Sequence, residues 1–472
     1  MVTVHPTVST EVFSEELRQL GLRRVAFLVG EQSGVLEATH PAFQPFADWL
    51  NQDTRDFDQH EAVFFELGAE TGALLAAFLH RTLRGQGAGG VRHWPYDSLT
   101  ALMSDGLRLS RGMSRKNALA GLWWGGGKGI IAQGAGTDVH DPEQRQHVYR
   151  DYGRFITSLR GAYVTAEDVG TVAADMAEIF RTTRFVTCVP PEVGGSGNPS
   201  EATARGVVAA MEASCLMQAE SSLSLEAFQR RLGAGATLVD TSLDGGGEGL
   251  EPTRSVLAGK RIVMQGAGNV ARFMMGLLLA RGVDQIVAAD VSEHAIAEAR
   301  KRYPDPRLLL KRVAPSDLSL LAEPCAVFAP CALGGVLNPE TIPLLNTQVV
   351  CGAANNQLLD DARDGQALAQ RGILFVPDFV ANRMGIVSCA NEQYGSLPSD
   401  PSILRHFDPS YEDSIQTVTF QVLKRAQTEG VTPSVAANHI ADELIQRDHP
   451  IWPHRTGQIL RALSLERWHL KA

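Results

Sequence analysis

The sequence predicts an α/β protein of two domains, the second of them a doubly wound parallel sheet. Its 472 residues exceed what one ordinary core serves. From Arg261 to Val376, short apolar strands alternate with helical stretches around a glycine turn, as a parallel sheet with crossover helices requires. Apolar residues are 44% of the chain and charged residues 20%, the balance of a folded globular protein.

Residues 1–55 have weak periodicity and read as an accessory segment, with a helix over Glu11 to Leu20. Ala62 to Leu67 and Gly72 to His80 read as strands, and the glycine-dense run Arg84 to Gly90 as a loop. Leu99, Leu102, Met103, Leu107 and Leu109 recur at helical spacing over Ser98 to Met113. A turn of three glycines, Gly125-Gly126-Gly127, then leads into Lys128, an unusual residue for packing there. A helix over Tyr149 to Leu159 and a strand over Ala162 to Thr165 follow, the strand running into Ala166-Glu167-Asp168-Val169-Gly170.

Between Cys215 and Gly259 the composition turns to Ser, Gly and polar residues, including Gly245 to Gly249, and reads as an exposed loop or insertion. Strand Arg261 to Met264, the turn Gly266-Ala267-Gly268-Asn269-Val270-Ala271, helix Phe273 to Ala280 and strand Gln285 to Ala289 then form one βαβ unit ending in Asp290. Further strands are expected at Cys325 to Ala329, Gln348 to Gly352 and Ile373 to Val376. Ile415, Val418, Val422, Leu423 and Ala426 share a helix face that Gly430 is placed to cap, and a second helix follows Pro433. No internal repeat is present. The expected domains are 1–199, completed by helices from 376–472, and 200–375.

Acidic residues outnumber basic ones, 53 to 43, and no basic run occurs, which argues against nucleic acid and anionic membrane as partners. Glu11, Glu15 and Glu16 interrupt any secretory leader, and no stretch reaches the roughly eighteen apolar residues of a membrane span, so a cytoplasmic protein is expected. The six cysteines are scattered, without a C-x-x-C pair or a metal-ligand spacing, and read as reduced, with no metal.

A strand, a G-x-G-x-x-A turn and a helix together make a Rossmann dinucleotide-binding unit the expectation. Gly266 allows the tight turn, Gly268 lets backbone N–H groups approach a pyrophosphate, and Ala271 allows close helix packing. Asn269 and Val270 open the helix whose N-terminus favours phosphate. Asp290, twenty-two residues beyond Gly268, would accept from the ribose hydroxyls and repel a 2′-phosphate, and Val291, Ser292 and Glu293 offer no cation. NAD is therefore expected over NADP.

In the first half, Lys116 and Lys128 flank an apolar stretch with Leu119, Leu122, Trp123 and Trp124. A lysine among apolar groups loses solvation as a cation and becomes a base near neutral pH. Asp168, at a strand end, offers a second proton-transfer group.

With these residues in view, the chain from about His60 to Trp468 resembles the glutamate/leucine/phenylalanine/valine dehydrogenase family, most closely its leucine and phenylalanine branch. The matching motifs are Gly89 to Arg92, Met113 to Ala118, Gly125 to Lys128, Thr165 to Gly170, Gly195 to Ala204, Gly266 to Ala271, Pro330 to Gly335, Ala353 to Asn356 and Pro377 to Gly385. The resemblance implies NAD-dependent oxidative deamination of an L-amino acid to its 2-oxo acid and ammonia, and the reverse. Lys116 would pair with the substrate carboxylate, Lys128 would activate water, and Asp168 would shuttle a proton at nitrogen.

Thr203 resembles the residue that fixes the nicotinamide carboxamide, and Asn355 the one that holds nicotinamide and substrate together. Read without the resemblance, they are equally a helix cap and a turn residue. Ala332 falls in the motif beside the cofactor. Ala88, Gly89, Gly90, Met113, Ala166, Ile386 and Cys389 fall where the branch binds its substrate. Ala88 stands where glutamate dehydrogenases of the family carry a lysine for the side-chain carboxylate, so a hydrophobic amino acid, leucine-like in size, is expected. Arg383-Met384 and Trp123-Trp124 depart from the family pattern and could reshape the pocket. The resemblance also implies a homo-oligomer assembled through the first domain and a cleft that closes over the substrate. The alternatives are a dehydrogenase for an aromatic amino acid in secondary metabolism and a catalytically silent NAD-binding relative.

Overall fold

The computed structural model of the chain describes residues 7–30, 32–134, 141–236, 255–395, 397 and 399–471. The chain divides into two compact units: Met1–Asn198 with Cys389–Ser396 and Ala441–Ala472, and Pro199–Ser388 with Leu397–Ile440.

The first unit carries α1 (Thr10–Gln19), β1 (Arg24–Val29), β2 (Leu36–Ala38), α2 (Gln44–Gln52), β3 (Ala62–Leu67), β4 (Leu74–Leu79), β5 (Gly87–Pro95), α3 (Leu99–Leu119), β6 (Gly125–Gln133), α4 (Pro142–Ser158), β7 (Tyr163–Glu167) and α5 (Ala173–Phe180). Its seven strands run in the order β2-β1-β3-β4-β6-β5-β7. Pairing is antiparallel as far as β6, whereas β5 lies parallel to both β6 and β7.

The N-terminal segment is not an accessory. β1 pairs with β3 from Arg24 opposite Glu66 to Leu28 opposite Ala62. Phe13 of α1, Phe27 of β1, Phe43 at the N-cap of α2 and Phe46 within it join Phe65 and Phe78 in one buried cluster. Edge-to-face ring pairs such as Phe13 with Phe65, centroids 5.0 Å apart, add about 0.5–1.5 kcal/mol each beyond their buried area.

The glycines are also largely in strands: residues 84–86 turn as expected, but 87–90 open β5 and 125–127 open β6. Glycine normally weakens a strand, but it is required where another backbone approaches closely. A Cβ on Gly127 would lie 2.6 Å from the Tyr163 ring and 2.9 Å from the Gly87 carbonyl carbon, and a Cβ on Gly90 2.6 Å from the Glu167 carbonyl oxygen. Asn117 of α3 donates to the carbonyls of Ala88 (3.2 Å) and Gly125 (2.7 Å), tying the helix to the ends of both strands.

The second unit carries α6 (Ser200–Ala219), α7 (Leu225–Ala236), β8 (Arg261–Gln265), α8 (Asn269–Ala280), β9 (Gln285–Asp290), α9 (Glu293–Arg302), β10 (Leu308–Arg312), β11 (Cys325–Pro330), β12 (Thr347–Val350), α10 (Asp361–Gln370) and β13 (Leu374–Phe375). α11 (Asp378–Ala381), the start of α12 (Met384–Ala390), α13 (Pro401–Leu404) and α14 (Ile415–Glu429) follow. The six strands are all parallel, in the order β10-β9-β8-β11-β12-β13. Numbered within this sheet, that is 3-2-1-4-5-6, the doubly wound order whose switch point lies between β8 and β11. β10 had no separate sequence signal.

The expected insertion begins with helix: α6 extends to Ala219 and α7 occupies Leu225–Ala236, while the Gly245 to Gly249 run lies outside the described residues. The expectation that 376–472 completes the first unit needs correction. Only Cys389–Ser396 and Ala441–Ala472 do so, the latter with the end of α15 (Pro433–Leu444) and all of α16 (Arg455–Leu465). α14 instead buries Phe420 and Leu423 with Leu216 of α6 and Phe228 of α7, so it belongs to the second unit. Gly430 caps α14 in the left-handed region, φ 68°, as its position implies.

Candidate active site

In the first unit the structure brings together the residues that β5, β6, β7 and α3 carry. Lys128 is the fourth residue of β6, almost fully buried, and its Nζ is in ion-pair contact with Oδ2 of Asp168, just past β7. A turn fixes Asp168: its N–H donates to Thr171 Oγ1 (2.8 Å), and the Thr171 hydroxyl donates back to the Asp168 carbonyl (2.7 Å). Gly90 pairs with Ala166 on β7, and a Cβ on Gly90 would come 2.7 Å from Cβ of Asp168. Bare backbone there leaves room for the lysine and the carboxylate to meet.

Arg92 of β5 was not assigned a role from the sequence. Its Nε lies 3.8 Å from Asp168 Oδ2, and its Nη1 donates to both oxygens of Asp105 on α3, at 3.0 and 2.9 Å. Asp105 also accepts from the Tyr96 hydroxyl at 2.6 Å, which holds the guanidinium in place. The available signal was the arginine of the Gly-Gly-x-Arg motif. Burial drives the Lys128 pKa well below the ordinary lysine range, and Arg92 pushes the same way. Asp105 opposes the shift, and Lys116 adds a smaller push downward.

Lys116 is half-buried on α3, one helical turn from Met113. Met113 itself approaches β5: a Cβ on Gly89 would sit 3.0 Å from its Cγ. Ala88 and Ala166 are buried in the same strands. Of the remaining pocket candidates, Cys389 is buried in the first unit with its thiol against Cys188, and Ile386 lies half-buried in the second unit. The departures from the family pattern are also placed. Trp123 lies beneath Arg84, guanidinium to ring 4.2 Å, beside the His449 ring. Arg383 is wholly buried in the second unit and donates to the Asp413 carbonyl at 2.6 Å.

In the second unit the glycine turn leaves the carboxyl end of β8 at the switch point, where such sheets bind ligands. Gly266 has φ 108°, and a Cβ there would meet the Cys331 carbonyl at 2.9 Å and Ala332 at 3.1 Å, so glycine is required and Ala332 lies beside the turn. Among the described residues, nothing lies within 4 Å of a Cβ built on Gly268, which leaves its backbone open to a phosphate group. Asn269 and Val270 form the first turn of α8, and Ala271 is buried behind them.

The Asp290 carboxylate accepts from Ala267 N–H at 2.7 Å and Ser292 N–H at 2.8 Å, keeping further lone pairs for a diol. Arg312, missed in the sequence, pairs in register with Asp290 from β10, and its Nε is 3.9 Å from Glu293. Thr203, in the first turn of α6, donates to the Pro199 carbonyl at 2.9 Å, and its oxygen can still accept from an amide. Gly385 leaves the space beside that hydroxyl open. Asn355 is exposed in the loop after β12. The turn, the open backbone and the carboxylate fit a dinucleotide. Among the described residues no cluster of His, Cys, Asp and Glu could hold a metal ion, and no helix is long and apolar enough to cross a membrane.

Comparison with known proteins gives consistent matches. Residues 69–185 match the dimerisation domain of Glu/Leu/Phe/Val dehydrogenases, and residues 248–449 match the glutamate/leucine/phenylalanine/valine dehydrogenase domain. Leucine dehydrogenase of Geobacillus stearothermophilus is 36% identical over 396 residues, covering 84% of this chain and 92% of that protein. Valine dehydrogenase of Streptomyces coelicolor is 35% identical over 395 residues, 83% and 93% of the two chains. Among solved structures, L-tryptophan dehydrogenase from Nostoc punctiforme aligns with a TM-score of 0.61 at 28% identity, covering 82% of this chain and 96% of that one.

Proposed function

This chain belongs to the glutamate/leucine/phenylalanine/valine dehydrogenase family and is an amino acid dehydrogenase, and from that premise we propose that it interconverts a hydrophobic L-amino acid, leucine-like in size, with its 2-oxo acid and ammonia, using NAD. The observation that carries this reading is the buried Lys128 against Asp168, with its pKa pushed down by burial and by Arg92.

Lys116 binds the substrate α-carboxylate as a fixed cation. Asp168 takes a proton from the substrate ammonium, leaving a neutral amine. A bound dinucleotide would supply the acceptor for the hydride on Cα, leaving an iminium. Neutral Lys128 removes a proton from water as its oxygen bonds to the iminium carbon. Asp168 returns a proton to the carbinolamine nitrogen, and as the C–N bond breaks the hydroxyl proton passes to the Asp168 carboxylate just freed, so that ammonia leaves with the 2-oxo acid.

Gly266, Gly268, Asn269, Val270 and Ala332 would surround the dinucleotide phosphates, Asp290 the adenine ribose, and Thr203 and Asn355 the nicotinamide. Asp290 favours NAD because a 2′-phosphate beside it would be repelled. In the first unit, Ala88, Gly89, Gly90, Met113, Ala166 and Cys389 supply apolar or small surface for the side chain, which suits leucine or valine and offers a carboxylate side chain no cation. The similarity to L-tryptophan dehydrogenase favours an aromatic substrate as the second reading. The dimerisation-domain match supports a homo-oligomer assembled through the first unit. All six cysteines are free thiols, which suits the cytoplasm.

Lys128→Ala tests the assignment. Turnover is expected to fall by about a hundredfold or more, with NADH binding by fluorescence retained because the glycine turn belongs to the other unit. A variant with near wild-type rate would sink it.

A further inference from the structure

We propose that Asn382 is a positioning residue that sets which face of the Asn355 amide meets the reactants, an inference that rests on the role given to Asn355 above. Asn382 directly follows α11, its N–H donating to the Asp378 carbonyl at 2.7 Å, and it is 5% exposed. Its Nδ2 donates to Oδ1 of Asn355 at 2.7 Å and to the carbonyl of Ala353 at 3.2 Å.

A carbonyl oxygen can only accept, so the Ala353 contact fixes which end of the Asn382 amide is nitrogen. Both of its N–H groups are then spent, and the atom of Asn355 that faces it must be the oxygen. Asn355 is left to present Nδ2, with donors only, from an exposed position. It is suited to an acceptor, a carboxylate or carboxamide oxygen, and unsuited to a donor.

A second tie holds the same loop. Asp378, four residues before Asn382 and hence near it on the same helical turn, accepts from the backbone N–H of Asn356 at 2.8 Å. Asn356 sits at φ 51°, in the left-handed region that a non-glycine residue adopts only at a cost. A loop that needed only to turn the chain would not require a buried amide aimed at the side chain of its exposed residue.

The test is a double-mutant cycle of Asn382→Ala and Asn355→Ala, read as kcat and KM for reductive amination, with NADH binding and thermal stability measured alongside. Asn382→Ala alone is expected to lower kcat/KM by about tenfold or more, and to cost little further in the Asn355→Ala background. Asn382→Ser, which keeps one donor, is expected to restore part of the loss, and it replaces the alanine variant in the cycle if that one fails to fold. Equal losses in both backgrounds, or no loss on replacing Asn382, would overturn the proposal. An Asn355→Ala enzyme with wild-type rates would remove the role of Asn355, and the proposal with it, while leaving the assigned reaction intact.

Discussion

Lys128 and Asp168 meet side chain to side chain across β5, the strand that separates β6 from β7 and carries Gly90 and Arg92. Two residues forty positions apart in sequence come into contact because the strand between them has no side chain at Gly90. The same strand places Arg92, and α3 places Asp105 and Lys116, where their charges act on the lysine. The site is therefore a property of the sheet rather than of any one motif.

Replacing Arg92 with Gln is expected to move the acidic limb of the pH profile for amino acid oxidation to higher pH. A cation near Lys128 disfavours its ammonium form and lowers its pKa. Removing that cation raises the pKa, so a higher pH is needed before the base is neutral. The kcat/KM profile measures this, and a limb that stays in place or moves to lower pH would contradict the role given to Arg92.

Asp290→Ser is expected to raise the ratio of NADP to NAD efficiency by about ten- to a hundredfold, the loss of one charged hydrogen-bond acceptor being worth about 1–3 kcal/mol. Arg312, in register with Asp290, supplies a cation once the carboxylate is gone. Adding Arg312→Ala is expected to reverse part of the gain. An unchanged ratio of efficiencies would remove the ribose role from Asp290.

Arg383→Met is expected to destabilise the second unit by about 2–4 kcal/mol. The guanidinium is fully buried, burial lowers its pKa to about 10, and its Nη2 donates to the Asp413 carbonyl, which would lose that donor. Urea unfolding measures the effect. A variant as stable as the parent would mean that methionine packing replaces the lost hydrogen bond.

The βαβ unit at 261–290 was legible because its signals are local: a strand, a glycine turn, a helix and an acidic strand end in unbroken order. The glycine strands β5 and β6 were not, because their glycines answer to Tyr163 and to neighbouring backbone that only the folded sheet brings close. β1 was lost in weak periodicity, although all but the last of its residues are buried, since a strand covered on both faces has no alternation to read. Lys116, Lys128 and Asp168 could be picked out individually. Arg92 and Arg312 could not, because what singles them out is Arg92 beside the Asp168 carboxylate and Arg312 in strand register with Asp290, both set by the folded sheets.

The most direct measurement is the oxidation of NADH by the purified protein with ammonia and a series of 2-oxo acids. Consumption is expected with 2-oxoisocaproate and 2-oxoisovalerate and none with 2-oxoglutarate; phenylpyruvate or indolepyruvate in the lead would favour an aromatic substrate. Preference for 2-oxoglutarate, or no consumption with any oxo acid, would contradict the proposed function.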